Sequence, residues 1–121
     1  MALTRDYRET VLARIKRDRK FTAALLAEAV SSLIDGDKAT ALSILRDLVH
    51  AHITFKKLAR KTGLGEKALH RMLSARGNPT AENLVHVLHA IETSLGLHIT
   101  VEARHVTTRI RPHSKHRLAA A

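Results

Sequence analysis

Seven of the chain's 21 Lys and Arg side chains fall between residues 56 and 76: Lys56, Lys57, Arg60, Lys61, Lys67, Arg71 and Arg76, with Glu66 the one acid among them. Cations at this density suit the neutralisation of phosphates. Lys acts as a compact point charge, and Arg as a planar fork that also matches the acceptor edge of guanine. Apolar residues alternate with them at helical spacing: Leu58 and Ala59 in the first half, Leu69, Met72 and Leu73 in the second. That spacing buries one face of each helix and sends the cations to the other.

Local signals bound both helices. Thr54 is placed to cap the first, which runs to about Thr62; Gly63-Leu64-Gly65 gives two residues able to take positive φ around one apolar plug. The second runs from about Glu66 to Ala75 and is stopped by Gly77-Asn78-Pro79. Residues 54–75 therefore match the helix-turn-helix pattern, whose first helix braces a second in the DNA major groove. Lys67, His70 and Arg71 are expected on the solvent face of the second helix, within reach of base edges or phosphates, and Ala68 is small enough to let that helix sit deep. Lys56, Lys57, Arg60, Lys61 and Arg76 would hold phosphates and set the register.

Other elements must hold this pair in place. Thr4 can cap a first helix with Tyr7, Val11 and Ile15 on one stripe, ending near Asp18. A second helix carries Phe21, Leu25, Ala29 and Leu33 on one face and stops at Gly36. Asp37 caps a third, with Leu42, Leu45, Leu48 and Val49 inward. Thr80 with Asn83 opens a sixth helix, which buries Leu84, Val87, Leu88, Ile91 and Leu95 and ends at Gly96. After it, Leu97, Ile99 and Val101 alternate with His98, Thr100 and Glu102, the period of a half-buried strand that must find a partner for its backbone. The fold expected is all-α: one domain of about six helices over residues 1–103 with a short C-terminal β-strand, followed by a basic, flexible tail over 104–121.

Composition agrees. Apolar residues make up 45% of the 121 but aromatics only 2%, so Leu, Ala, Ile and Val must fill the interior, a mix that favours helices. The net charge of +10 is unevenly spread: residues 56–76 contribute +6 and 104–121 contribute +5, while 77–103 contribute −3. Such segregation points to a polyanionic partner. The tail's Arg104, Arg109, Arg111, Lys115 and Arg117 fit either an arm along DNA or a solubilising end.

Without Cys there is neither a disulfide nor a thiolate metal site. His86 and His89 lie one helical turn apart but lack a third ligand, and His50 and His52 sit at a helix end. Asp35 and Asp37 flank Gly36 as turn and cap residues, so no catalytic set, metal or cofactor is expected. No apolar run approaches the roughly 20 residues of a membrane span. A cytoplasmic protein is the expectation.

The string from Thr54 through Leu58-Ala59, Thr62-Gly63-Leu64, Leu69 and Arg71 to Gly77-Asn78-Pro79-Thr80 and Leu84 resembles the lambda-repressor-like Xre family. Where that family often has Gln, at the second residue of the bracing helix and the first of the reading helix, this chain has Phe55 and Glu66. Glu66 could accept from a cytosine amino group or pair with a neighbouring Arg. The segments LTRDYRETVLARIKRD, FTAALLAEAVSSLIDGD and ALSILRDLVHAHITFKKLARKTGL extend the likeness over residues 2–101 to the HigA-type addiction-module antidotes. The resemblance implies a homodimeric antitoxin and repressor that binds double-stranded operator DNA, represses its own operon and neutralises a RelE-like toxin. Two alternatives stand beside it: a stand-alone Xre-type regulator, and a protein-interaction module with incidental DNA affinity. The DNA-facing set expected is Thr54, Lys56, Lys57, Glu66, Lys67, Ala68, His70, Arg71, Arg76 and Asn78.

Overall fold

A computed structural model of the chain describes residues 5–106. Six α-helices follow one another, α1 (Arg5–Arg17), α2 (Arg19–Ile34), α3 (Lys38–Leu48), α4 (Phe55–Thr62), α5 (Glu66–Met72) and α6 (Ala81–Leu95), and α3 runs straight into a π turn over Val49–Ile53. The Thr4 cap and the tail beyond residue 106 lie outside the described residues.

Short polar side chains set most of the helix starts. Asp18 ends α1 and caps α2 by accepting from the Phe21 N–H at 3.0 Å, and that bond is the main reason its carboxyl sits below the usual range. Asp37 does the same for α3 through Thr40 at 3.2 Å, and Thr80 for α6 through Asn83 at 3.1 Å. Gly96, at φ 65°, closes α6 in the left-handed conformation.

One apolar core joins all six helices. Ile15 from α1, Leu26 from α2, Leu42, Leu45 and Leu48 from α3, Leu58 from α4, Leu69 from α5 and Ile91 from α6 are buried in it together. Two charged contacts staple its rim: Arg8 pairs with Asp47 at 2.8 Å, and the Arg14 guanidinium lies 4.2 Å above the Phe21 ring.

The α2 stripe is rotated from the one expected. Thr22, Leu26, Ala29 and Ser32 are the buried positions, with Phe21 and Leu25 only packed along the edge of the core. A polar residue can go inside because its hydroxyl is satisfied: Thr22 donates to the Ile15 carbonyl at 2.8 Å, and His52 Nε2 lies 2.7 Å from the same oxygen.

The expected C-terminal strand is not formed among the described residues. Residues 97–106 are non-helical and join no β-ladder. Their start is nevertheless anchored: the Leu97 N–H donates to the Glu92 carbonyl at 3.0 Å and the Ile99 N–H to Glu92 Oε2 at 2.6 Å. Leu97 and Ile99 pack against the core, whereas Val101 is 74% exposed. Among the described residues no helix is long and apolar enough to cross a membrane.

Candidate nucleic-acid interface

The α4 helix begins under strain. Thr54 holds φ 77° and ψ 148°, a region that L side chains rarely enter, while its hydroxyl caps the helix by accepting from the Lys57 N–H at 3.3 Å. The preceding π turn makes this start abrupt, delivering Phe55 directly into the core, where it is buried together with Leu58. Lys56, Lys57, Arg60 and Lys61 consequently share the outer face and are all exposed.

The turn to α5 is tight. Gly63 takes φ 75° and its N–H donates to the Ala59 carbonyl at 2.9 Å, while the Leu64 N–H donates to Thr62 Oγ1 at 3.2 Å. Of the two glycines able to take positive φ, only Gly63 uses that freedom; Gly65 sits at φ −68° as the residue before α5. The α5 helix is shorter than its pattern suggested, ending at Met72 instead of Ala75, with Leu73 leaving at φ −95° and ψ 7°. Two features fix this end. The Arg46 guanidinium of α3 donates to the Leu73 carbonyl at 2.6 Å. Gly77 returns so close that a Cβ there would lie 2.0 Å from the Met72 carbonyl oxygen.

With Leu69 and Leu73 buried, Lys67 and Arg71 project from the opposite side of α5 one turn apart, exposed, beside exposed Glu66 and half-buried Ala68. Ala68, Arg71, Met72, Arg76, Gly77 and Asn78 line a shallow open notch of about 310 Å³ at the end of the helix. Asn78 is not wholly free there, since its Oδ1 accepts from Lys38 Nζ at 3.3 Å.

His70 stands apart from this set. Its ring stacks on Phe55 at 3.8 Å and 16°, and Phe55 in turn takes the edge of His50 at 4.9 Å. The expected base- or phosphate-contacting role for His70 thus meets a competing one, since the imidazole covers the Phe55 ring and ties the start of α4 to α5. The non-local stack leaves no mark on the residue pattern. Neither Lys38 nor Arg46, which brace the far end of α5 from α3, stands out in the sequence. His50 is held below the ordinary histidine range, first by desolvation and then by the charges of Arg8 and His70.

The electrostatics are one-sided. The ion pairs among the described residues are Arg8–Asp47, Arg14–Asp18, Arg104–Glu102, and Glu92 with His89 and His98. None of the seven cations between residues 56 and 76 takes part in one, and neither does Glu66. Their charge is therefore uncompensated by carboxylates, which an anionic partner would relieve. Among the described residues no three His, Asp or Glu side chains converge as a metal site.

A protein family described as probable addiction module antidote protein matches residues 11–99, which take in most of α1 and all of α2 to α6. The chain belongs to this family. Membership makes it the antidote side of an addiction module, for which a toxin is the implied counterpart. No curated protein and no solved structure compared with the antidote gives a match.

Proposed function

We propose that this antidote is a DNA-binding repressor of its own operon as well as the neutraliser of a RelE-like toxin. The observation that carries the DNA half is the α4–α5 pair with the loop after it, seven cations in 21 residues and not one paired to a carboxylate among the described residues. In this reading α5 is the reading helix. Lys67 and Arg71 reach base edges, Ala68 allows close approach, and Glu66 accepts from an exposed cytosine amino group. Thr54, Lys56, Lys57, Arg76 and Asn78 hold the phosphate backbone on either side, and His70 serves chiefly to fix the angle between the helices. A homodimer would present two α5 helices roughly 34 Å apart, the spacing of successive major grooves. Family membership favours an antidote with a toxin over a stand-alone regulator of the same fold.

The test is fluorescence anisotropy of the full chain on its own upstream DNA and on a scrambled duplex, between about 50 and 200 mM salt. Sequence-specific repression requires a preference of about a thousandfold or more that survives the higher salt. Equal affinity for both duplexes, lost together as salt rises, would reduce the cationic face to non-specific attraction.

A further inference from the structure

The α2 helix is apolar on both of its sides. Its buried positions are Thr22, Leu26, Ala29 and Ser32, and a second stripe, Ala23, Ala27, Val30 and Ile34, follows the alternating four- and three-residue spacing of another helix face. A helix with apolar residues all round is normally covered all round. Here α3 and α1 pack on the inner side, while on the outer stripe Ala27 is exposed and Ile34 is 70% exposed. Residues 97–102 run beside that stripe and make it a groove of about 370 Å³, walled by Val30, Ile34, Leu97, Ile99 and Val101, the last of them 74% exposed. We infer that this groove face docks a second copy of the chain, α2 against α2 in antiparallel sense about a twofold axis near Ala27, an inference that rests on the homodimer reading above and specifies its contact.

Charge at the two ends of the stripe selects both the occupant and the direction. Lys16, Arg17, Arg19 and Lys20 cluster at the start of α2, all exposed and none in an ion pair among the described residues. Asp18, the acid among them, is engaged in capping Phe21 and in pairing with Arg14. The far end carries Asp35 and Asp37, exposed and likewise outside every ion pair among the described residues, and the cation beside them, Lys38, is held by Asn78. From Lys20 to Asp35 is roughly 22 Å along the helix axis. Between them Glu28 is the one charged residue, and it lies on the flank away from the groove, in a notch shared with Asp35 and Asp37.

These end charges oppose the dipole of α2 itself, since cations stand at its positive N-terminus and a carboxylate at its negative C-terminus. They therefore weaken the helix alone and find compensation only from outside it. A parallel copy would set cations against cations and carboxylates against carboxylates. An antiparallel copy brings Arg19 and Lys20 of each chain beside Asp35 and Asp37 of the other, twice, and opposes the two helix dipoles. A face complementary to itself in this way is the isologous surface of a twofold dimer. Ala23 and Ala27 leave room for the two backbones to approach.

The chain has no Cys, so a single introduced thiol reports the direction. In the full-length protein under mild oxidation, Ala27→Cys, next to the axis, should give a disulfide-linked dimer, whereas Lys20→Cys, roughly 20 Å from its symmetry mate, should not. By sedimentation equilibrium, Ala27→Glu should raise the dimer Kd roughly tenfold or more, because an unpaired carboxylate enters an apolar contact. Lys20→Glu and Asp35→Lys should each weaken the dimer, and the exchange K20E/D35K should recover affinity. All three positions are exposed, so the far-UV circular dichroism of each variant should match the wild type. Linkage through Lys20→Cys as ready as through Ala27→Cys, or an exchange that restores nothing, would overturn the antiparallel contact. A dimer indifferent to Ala27→Glu would overturn it too, while leaving the homodimer standing. A wild-type chain monomeric at every concentration would remove both. If Ala27→Glu breaks only a complex with the toxin, the groove belongs to the toxin and the self-docking is overturned.

Discussion

Thr54 concentrates a conflict in one residue. Its hydroxyl is a good N-cap for α4, yet its backbone at φ 77° and ψ 148° is almost reserved for glycine. The two contributions can be separated. Thr54→Ala keeps a Cβ in the strained conformation and loses the acceptor for the Lys57 N–H, so it should destabilise the fold by about 1 kcal/mol in urea unfolding. Thr54→Gly removes the strain and costs only a few tenths as a cap, so it should be neutral or more stable than the wild type by about 1 kcal/mol. A glycine variant less stable than the alanine one would show that the backbone is not strained. His50 supplies a second residue-scale outcome. Its folded pKa is depressed, so the unfolded chain takes up a proton more readily. The stabilisation from neutral His50 is present above the unfolded value of about 6.5 and is lost as pH falls toward the folded one. His50→Gln should flatten stability as pH falls below about 6.5, a range clear of the Asp18 and Asp37 caps, whose lowered carboxyl pKa values fail only in stronger acid.

The α5 helix owes its position to contacts at both ends, and Gly77 is the less forgiving of them. A methyl group there would meet the Met72 carbonyl at 2.0 Å and the Arg71 carbonyl at 2.8 Å, both backbone atoms with no rotamer to escape into. Gly77→Ala should therefore cost about 2 kcal/mol or more and displace the end of α5, visible as a lower urea midpoint and shifted α5 amide resonances. Unchanged stability would mean that the loop yields freely. Elements of this kind divide by how far their causes lie along the chain. The caps at Asp37, Thr54, Thr80 and Gly96 were legible in sequence because each depends on a residue within four positions of itself. The α3 stripe was legible because its Leu spacing left one apolar face. The facing of α2 was not, because Thr22 is admitted to the core by the Ile15 carbonyl seven residues back and by His52, thirty residues on. Likewise the cations of α4 and α5 were legible as a group, whereas the Phe55–His70 stack depends on how two helices meet. The strand expected after Gly96 did not form: only Leu97 and Ile99 of its alternating residues pack against the core, and no β-ladder joins residues 97–106.

At the scale of the molecule, charge separates two jobs that one small chain would have to combine. Residues 56–76 carry +6 while 77–103 carry −3, so the proposed DNA face and the acidic run that includes α6 are electrostatically distinct along the sequence. If Lys67 and Arg71 read the operator and the toxin is held elsewhere, the two activities must come apart under mutation. The double variant K67E/R71E should lose operator binding altogether, because two exposed cations become anions facing phosphate, and should fold normally because neither side chain is buried or ion-paired. It should still protect cells from the toxin. Lys57→Gln gives the complementary result. As a backbone contact it should weaken all duplexes alike and lower the salt slope by about 0.9 for each phosphate contact removed, leaving sequence preference intact. Loss of toxin protection in K67E/R71E, measured alongside retained folding, would mean instead that the cationic face of α5 is where the toxin binds, and the DNA reading would then have to give way.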